Sequence, residues 1–187
     1  MKLDGLLLSK FFLMMDQTPP SDLLSVALDA IRRWDDSEYD KQAQLLLEEQ
    51  PYLMRFIMNL VDEMEEEDIE FLILALMSVQ LGFKMRGIPL NIASVESIEA
   101  KTTALVKKYD EIEEEEEVSL DDIFKSSDNP MVLQQLFEIY YHDFLETETV
   151  GMAEIMNLLL VLEVIIGGVE DSTIDTPSTN QDSVSEI

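Results

Sequence analysis

The chain contains a single histidine, His142, which lies four residues after Glu138 in the stretch PMVLQQLFEIYYHDFL. At this spacing the two side chains share one face of a helix and could hold a metal ion between them. Zinc sites need three or four ligands, however, and di-iron helical bundles need two Glu-x-x-His motifs. Because the sequence has neither set, we interpret His142 as an ordinary surface or boundary residue and predict no metal site.

Other motifs that carry chemistry are also missing from the sequence. It has no cysteine and no GxGxxG, GxxxxGK(S/T) or GxSxG motif, which excludes disulfides, thiolate chemistry and the common phosphate-binding loops. The acidic residues that begin at Asp36 do not form an EF-hand calcium-binding loop, because Lys41 stands where that loop needs glycine and Leu47 where it needs glutamate. Forty acidic residues make some carboxylate pair inevitable, so a pair alone does not indicate acid–base catalysis. We therefore predict a non-enzymatic protein with no catalytic residue and no cofactor.

The most distinctive feature of the composition is its charge. Forty acidic residues against twelve basic ones give a formal net charge of −28, yet 47% of the residues are hydrophobic. This combination is typical of a folded acidic domain rather than of a disordered acidic tail. Phosphate contacts need a basic face, so we predict no direct binding of nucleic acid, and an anionic membrane surface would repel the protein.

Two runs of acidic residues are predicted to bind a basic protein partner. A globule of 21.4 kDa exposes about 9,000 Å², or roughly one net charge per 300 Å². Duplex DNA carries roughly one charge per 100 Å², so the average density is too low for DNA mimicry. A general acidic surface, as in an inhibitor, an immunity factor or a regulator, needs less charge. The predicted partner-binding residues are Glu65, Glu66, Glu67, Asp68, Glu113, Glu114, Glu115, Glu116 and Glu117.

The methionines suggest an alternative function, a chaperone-like adaptor. Methionine adapts its shape to irregular partners, so a groove lined by it could hold a client helix, although core filling explains the same residues. Salt distinguishes the two functions, because charge-driven binding weakens as ionic strength rises and groove binding barely responds. The methionines concerned are Met54, Met58, Met77, Met152 and Met156.

Two apolar stretches, Ile69 to Phe83 and Ile155 to Val169, are expected to lie back to back at the centre of the fold. Each follows a helix that begins with a proline, Pro51 or Pro130, and Asn129 is a good N-cap for the second. The apolar residues of the two proline-led helices coincide when the second helix is moved back by 79 positions, and those of the two apolar helices coincide when the second is moved back by 85 positions. This agreement indicates either an internal duplication or two unrelated helical hairpins with the same apolar period. We predict an all-α helical bundle of about eight helices that contains two similar helical hairpins.

Another long helix is predicted from Ala93 or Ser94 to about Glu116. Its apolar residues repeat at alternating three- and four-residue steps, as in a coiled coil, but they cover fewer than three heptads. This seam therefore either packs on the domain itself or forms a homodimer contact. Its residues are Val95, Ile98, Thr102, Leu105, Tyr109 and Ile112.

The two ends of the chain differ from its middle. Beyond Gly167 and Gly168 the composition becomes polar, which predicts a single domain over residues 1–169 and a flexible acidic tail over residues 170–187. Neither apolar stretch reaches the roughly 20 residues needed to span a membrane, and we predict a cytoplasmic protein. The first residues are predicted to form an amphipathic helix that packs on the body rather than a signal peptide, because apolar residues recur there at helical spacing. These residues are Leu3, Leu7, Phe11 and Met14 or Met15.

Overall fold

The computed structural model describes residues 20–113, 119–143 and 151–173, and in these residues the chain forms eight α-helices and no strand. The helices are α1 (Pro20–Ile31), α2 (Asp36–Glu49), α3 (Pro51–Met58), α4 (Glu66–Met85), α5 (Val95–Glu113), α6 (Leu120–Ser126), α7 (Pro130–Asp143) and α8 (Met152–Asp171). The predicted all-α helical bundle is confirmed. The predicted N-terminal helix and residues 174–187 of the predicted tail lie outside the described residues.

Helices α4 and α8 form the centre of the bundle. Each has 20 residues, and the two pack against each other, as predicted for the two apolar stretches. Full burial of one large apolar side chain contributes about 1.5–3 kcal/mol, so these helices supply much of the stability of the fold. The side chains that they bury completely include Phe71, Leu72, Leu76, Leu159, Leu162 and Ile165.

Helix α8 is long and apolar enough, by length and composition alone, to cross a membrane. The sequence predicts a shorter stretch because Glu163 interrupts it and glycines stand near its end, whereas the helix runs from Met152 to Asp171. In the structure 67% of its most apolar window is buried inside the bundle, which is the pattern of a core helix.

The other helices surround this central pair. Helix α5 packs along α8, and α1 packs on α4 and α7. Helix α3 contacts α2 and α4, while α6 contacts α7. The two predicted hairpins, α3–α4 and α7–α8, are therefore present as packed pairs, and their origin by duplication stays a hypothesis.

Two glycines lie inside α8 and let its neighbours approach closely. A β-carbon at Gly167 would overlap the Lys101 side chain of α5, and one at Gly168 would lie 2.9 Å from Leu53 Cδ2 of α3. Glycine in a helix interior costs about 1 kcal/mol relative to alanine, and here the close packing of two helices offsets that cost. The helix therefore continues to Asp171, although the sequence suggests that it ends near the glycines.

The packed body also extends beyond residue 169, where the sequence places the end of the domain. The Asn91 N–H donates to the Ser172 carbonyl at 2.7 Å, and Leu90 forms an isolated antiparallel bridge with Thr173. Ser172 is buried as a result. The loop after α4 thus fixes the end of α8, and a long-range contact of this kind has no sequence signature.

The boundaries of α3 and α4 differ from the sequence prediction in a way that charge explains. The sequence predicts a helix from Pro51 to Met64 and an acidic bend over Asp62 to Asp68, whereas in the structure α3 ends at Met58 and α4 begins at Glu66. Acids are unfavourable at a helix C-terminus and favourable in the first helical turn, where the helix dipole is positive. Asp62 and Glu63 accordingly lie in the turn, and the following acids open α4.

Helix α2 shows a second departure from the predicted pattern. Of the residues that the sequence places inward, Leu46 is buried and Ala43 is partly buried, but Leu47 is 52% exposed. Adjacent helical residues point about 100° apart, and α4 covers the side of α2 that carries Leu46, next to Met77 and Leu81, rather than the side that carries Leu47.

Candidate functional site

The first acidic run opens α4. Glu65 is its N-cap residue, and Glu66, Glu67 and Asp68 lie in its first turn. The side chains of Glu65, Glu66 and Glu67 are exposed, whereas Asp68 is half-buried and accepts a hydrogen bond of 2.5 Å from the Tyr140 hydroxyl of α7. Three solvated carboxylates therefore project from a helix N-terminus, and a fourth anchors that terminus to α7.

A carboxylate from α8, Glu154, acts on Tyr140, the residue to which Asp68 of this run is bonded. Burial raises the pKa of the Tyr140 hydroxyl, and so do the hydrogen bond to Asp68 and the negative charges of Asp68, Glu154 and Glu67. Glu154 is exposed in the first turn of α8, where its carboxylate accepts a hydrogen bond of 2.8 Å from the Gly151 N–H. We call Glu65, Glu66, Glu67, Asp68 and Glu154 together the acidic end.

The negative surface continues from α4 towards α2. The pKa of Tyr39 on α2 is raised by burial and by the charges of Glu70 and Asp40, so the exposed Glu70 side chain of α4 lies near that helix. The six lysines of the described ranges are all ion-paired, and their acidic partners lie outside the acidic end. The pairs are Lys41–Glu38, Lys84–Glu49, Lys101–Asp171, Lys107–Glu111, Lys108–Glu163 and Lys125–Asp121.

Exposed large side chains accompany these acids. Tyr141, which follows Tyr140 on α7, is 57% exposed, and Met152 is exposed in the first turn of α8. Tyrosine and methionine are enriched in protein–protein interfaces, where their large apolar areas are buried on binding. Helices α7 and α8, which contribute Tyr140 and Glu154 to this region, therefore each expose a large side chain suited to a protein contact.

The second acidic run, Glu113 to Glu117, lies outside the described residues except for the backbone of Glu113. Glu113 is the last residue of α5, and its side chain lies outside the described residues together with Glu114, Glu115, Glu116 and Glu117. Its role in partner binding therefore stays a prediction.

His142 lies on the surface near the end of α7. Its ring meets the Tyr141 ring edge-on, with 5.8 Å between the centroids. Glu138 accepts a hydrogen bond of 2.9 Å from Gln134 Nε2. Within residues 20–113, 119–143 and 151–173, no group of three or more acidic or histidine side chains is arranged to hold a metal ion.

The structure also reveals a buried carboxylate whose partners the sequence does not identify. Glu163 on α8 is only 7% exposed, and from the sequence it is interpreted only as an interruption of an apolar stretch. Its Oε1 accepts hydrogen bonds from Lys108 Nζ at 3.0 Å and from the Tyr109 hydroxyl at 2.9 Å. Burial raises the pKa of the Tyr109 hydroxyl, and the charge and hydrogen bond of Glu163 raise it further. This cluster joins α5 to α8, so the predicted seam packs within the domain, and a homodimer through it stays a prediction.

A second polar group joins α5 and α7 to the end of α8. Asp171 accepts a hydrogen bond of 3.0 Å from the Ser97 hydroxyl and forms an ion pair of 3.4 Å with Lys101. Asn129, which the sequence suggests as an N-cap, donates its side-chain amide to Glu170 at 2.8 Å. Burial raises the pKa of Glu170, although the hydrogen bond from Asn129 opposes that shift. These contacts hold helices together, and three of the polar side chains that line the adjoining cleft of about 170 Å³, Lys101, Asn129 and Glu163, are used in them or in the Lys108 pair.

The five methionines considered for a client groove do not face a common space. Met54, Met77 and Met156 are buried in the core, and Met58 and Met152 are exposed. An apolar groove of about 210 Å³ does open between α1, α4, α7 and α8, but no methionine of residues 20–113, 119–143 and 151–173 lines it. Its apolar walls are formed by Leu24, Val79, Phe83, Val132 and Ile166.

Comparison of the chain with models of protein families, with curated proteins and with solved structures gives no match.

Proposed function

We propose that this protein is a non-enzymatic interaction protein whose acidic end binds a basic protein partner, as an inhibitor, immunity factor or regulator does. The observation that carries the proposal is the group of exposed carboxylates at Glu65, Glu66 and Glu67, to which no lysine of the described ranges is paired. Glu154 adds a further negative charge from the N-terminus of a second helix, α8.

The arrangement of these charges favours recognition over stability. Acids in a first helical turn gain about 0.3–1 kcal/mol each from the dipole, but neighbouring like charges repel and reduce that gain. A basic partner would relieve this repulsion on binding. Complementary charges also accelerate association and make it sensitive to salt.

The partner is first sought by affinity capture from host lysate at about 50 mM salt, with elution at about 300 mM salt. We expect a basic protein to be released by the salt step. Poly-lysine serves as a probe of non-specific charge attraction, and it should bind more weakly than the recovered protein.

The acidic end is then tested by calorimetric titration of the recovered protein. The triple variant Glu65→Gln, Glu66→Gln, Glu67→Gln should weaken binding about tenfold, since three interface charges contribute about 1.4 kcal/mol together. Asp68 and Glu154 stay unchanged, because they bond to Tyr140 and Gly151.

The matched control removes three exposed acids from α5 by the changes Glu96→Gln, Glu99→Gln and Asp110→Asn. It alters net charge equally and should change the affinity less than threefold, roughly. A separate variant that replaces Glu113 to Glu117 with glutamine tests the second run. Equal affinity of the triple variant and the wild type would refute the acidic end as the binding surface, and a salt-resistant client would favour the chaperone-like adaptor.

A further inference from the structure

The groove between α1, α4, α7 and α8 leaves an apolar surface open within the described residues. We propose that residues 3–15 of the same chain dock in this groove as an amphipathic helix. Their apolar stripe, Leu3, Leu7, Phe11 and Met14, then faces the groove. This docking is independent of the function proposed for the acidic end.

The size of the groove favours side chains over a small-molecule ligand. Typical ligand pockets measure about 300–1,000 Å³, whereas this groove measures about 210 Å³. Its walls include Val79 and Phe83 from α4 and Ile166 from α8. One or two apolar side chains of a docked helix match a space of this size and character.

The position of the groove places the N-terminal residues beside it. Leu24 lines the groove and lies one helical turn after Pro20, the first residue of α1. Residues 16–19 can span at most about 13 Å, so residues 3–15 begin close to the groove. As a helix these thirteen residues extend about 20 Å, which is also the scale of a face formed by packed helices.

The charges around the groove match those of the segment. Arg86 and Glu170 both line the groove, and residues 3–15 carry Asp4 and Lys10. In a helix Lys10 lies on the same face as Leu7 and Met14, so its side chain can extend from the docked stripe towards Glu170 at the groove.

The C-terminal residues are a weaker candidate for the same groove. They begin after Thr173, which also lines it, but residues 174–187 contain only Ile174, Val184 and Ile187 as large apolar side chains. These three residues do not form a stripe at helical spacing.

The absence of cysteine allows a direct test in the full chain. A nitroxide attached through Ser9→Cys lies on the helix face opposite the apolar stripe. It should broaden the methyl NMR signals of Val79, Val132 and Ile166. Adding Phe11→Asp should abolish this broadening, because it places a charge in the apolar contact.

The matched control is Phe12→Asp, which makes the same chemical change about 100° away from Phe11 on the helix and should preserve the broadening. Circular dichroism checks that all variants retain their helices. Unbroadened groove signals with the Ser9 label would overturn the proposal. Two other results would also overturn it. Broadening from a label at Ser178→Cys and not from the Ser9 label would assign the groove to the tail. Broadening that occurs only between chains, in a mixture of isotope-labelled and spin-labelled protein, would assign the groove to a second copy.

Discussion

Glu67 and Glu163 carry the same carboxylate group in two very different parts of the molecule. Glu67 is exposed in the first turn of α4 among other acids, whereas Glu163 is buried in α8 and is bonded to Lys108 and Tyr109. A solvated charge contributes little to folding and stays available to a partner. A buried charge needs partners, because desolvation without them costs several kcal/mol. Burial therefore separates the carboxylates that can serve recognition from those that serve the fold.

The largest loss of stability is expected when the buried carboxylate of Glu163 loses its cationic partner Lys108. The change Lys108→Met leaves Glu163 buried without its cation and should lower the free energy of unfolding by about 3 kcal/mol. Urea denaturation followed by circular dichroism measures this loss. The adjacent Lys107→Met is the matched control, because Lys107 forms only an exposed i,i+4 pair with Glu111 and should change stability by about 0.5 kcal/mol or less.

The double variant Lys108→Met, Glu163→Leu tests the cause of that loss. It removes the stranded charge, so it should recover part of the stability lost in the single variant. If both variants were equally unstable, the buried charge would not be the origin of the effect.

A smaller loss is expected from Tyr109→Phe, which removes one hydrogen bond to Glu163. The predicted decrease in unfolding free energy is about 1.5–2 kcal/mol, since the acceptor is charged and buried. Tyr141→Phe, at an exposed position, provides the control and should have almost no effect. A decrease below about 0.5 kcal/mol for Tyr109→Phe would indicate that water replaces the hydroxyl.

The raised pKa values of Tyr109 and Tyr140 predict a loss of stability in alkali. Both hydroxyls are neutral in the fold and ionise more easily in the unfolded chain, whose tyrosine pKa is about 10. The stability that these two groups contribute should therefore be fully present below about pH 10 and fall as the pH rises above it. Urea midpoints between about pH 8 and pH 11 test this prediction, and the double variant Tyr109→Phe, Tyr140→Phe should show a shallower decline. An equally steep decline would assign it to other groups.

The smallest effect on stability is expected at the acidic end. The triple variant Glu65→Gln, Glu66→Gln, Glu67→Gln loses dipole interactions and also loses repulsion, so its unfolding free energy should change by about 1 kcal/mol or less. The same variant should weaken partner binding about tenfold. A large loss of stability would show that these acids stabilise the fold as Glu163 does, and burial would then not separate the two kinds of carboxylate.

Part of this architecture follows from local sequence patterns. The prolines at Pro51 and Pro130 begin helices, and Ser119 accepts a hydrogen bond from the Asp122 N–H as the cap of α6. Such features depend on a few neighbouring residues, which is why the sequence predicts them.

Other features depend on which helices become neighbours. The sequence does not show that Lys101 covers Gly167, or that the Asn129 side-chain amide donates to Glu170. It also does not show that Leu47 faces solvent. Each of these outcomes is set by a residue far away in the chain.

The sequence by itself thus determined the helical class, the central apolar pair and the excess of negative charge, because periodicity, hydrophobicity and charge are local or additive properties. Only the tertiary structure decided that Glu163 is buried with Lys108 and Tyr109 while Glu154 joins the acidic end. The physical reason is that desolvation and pairing depend on the whole surroundings of a charge, and packing of distant helices creates those surroundings.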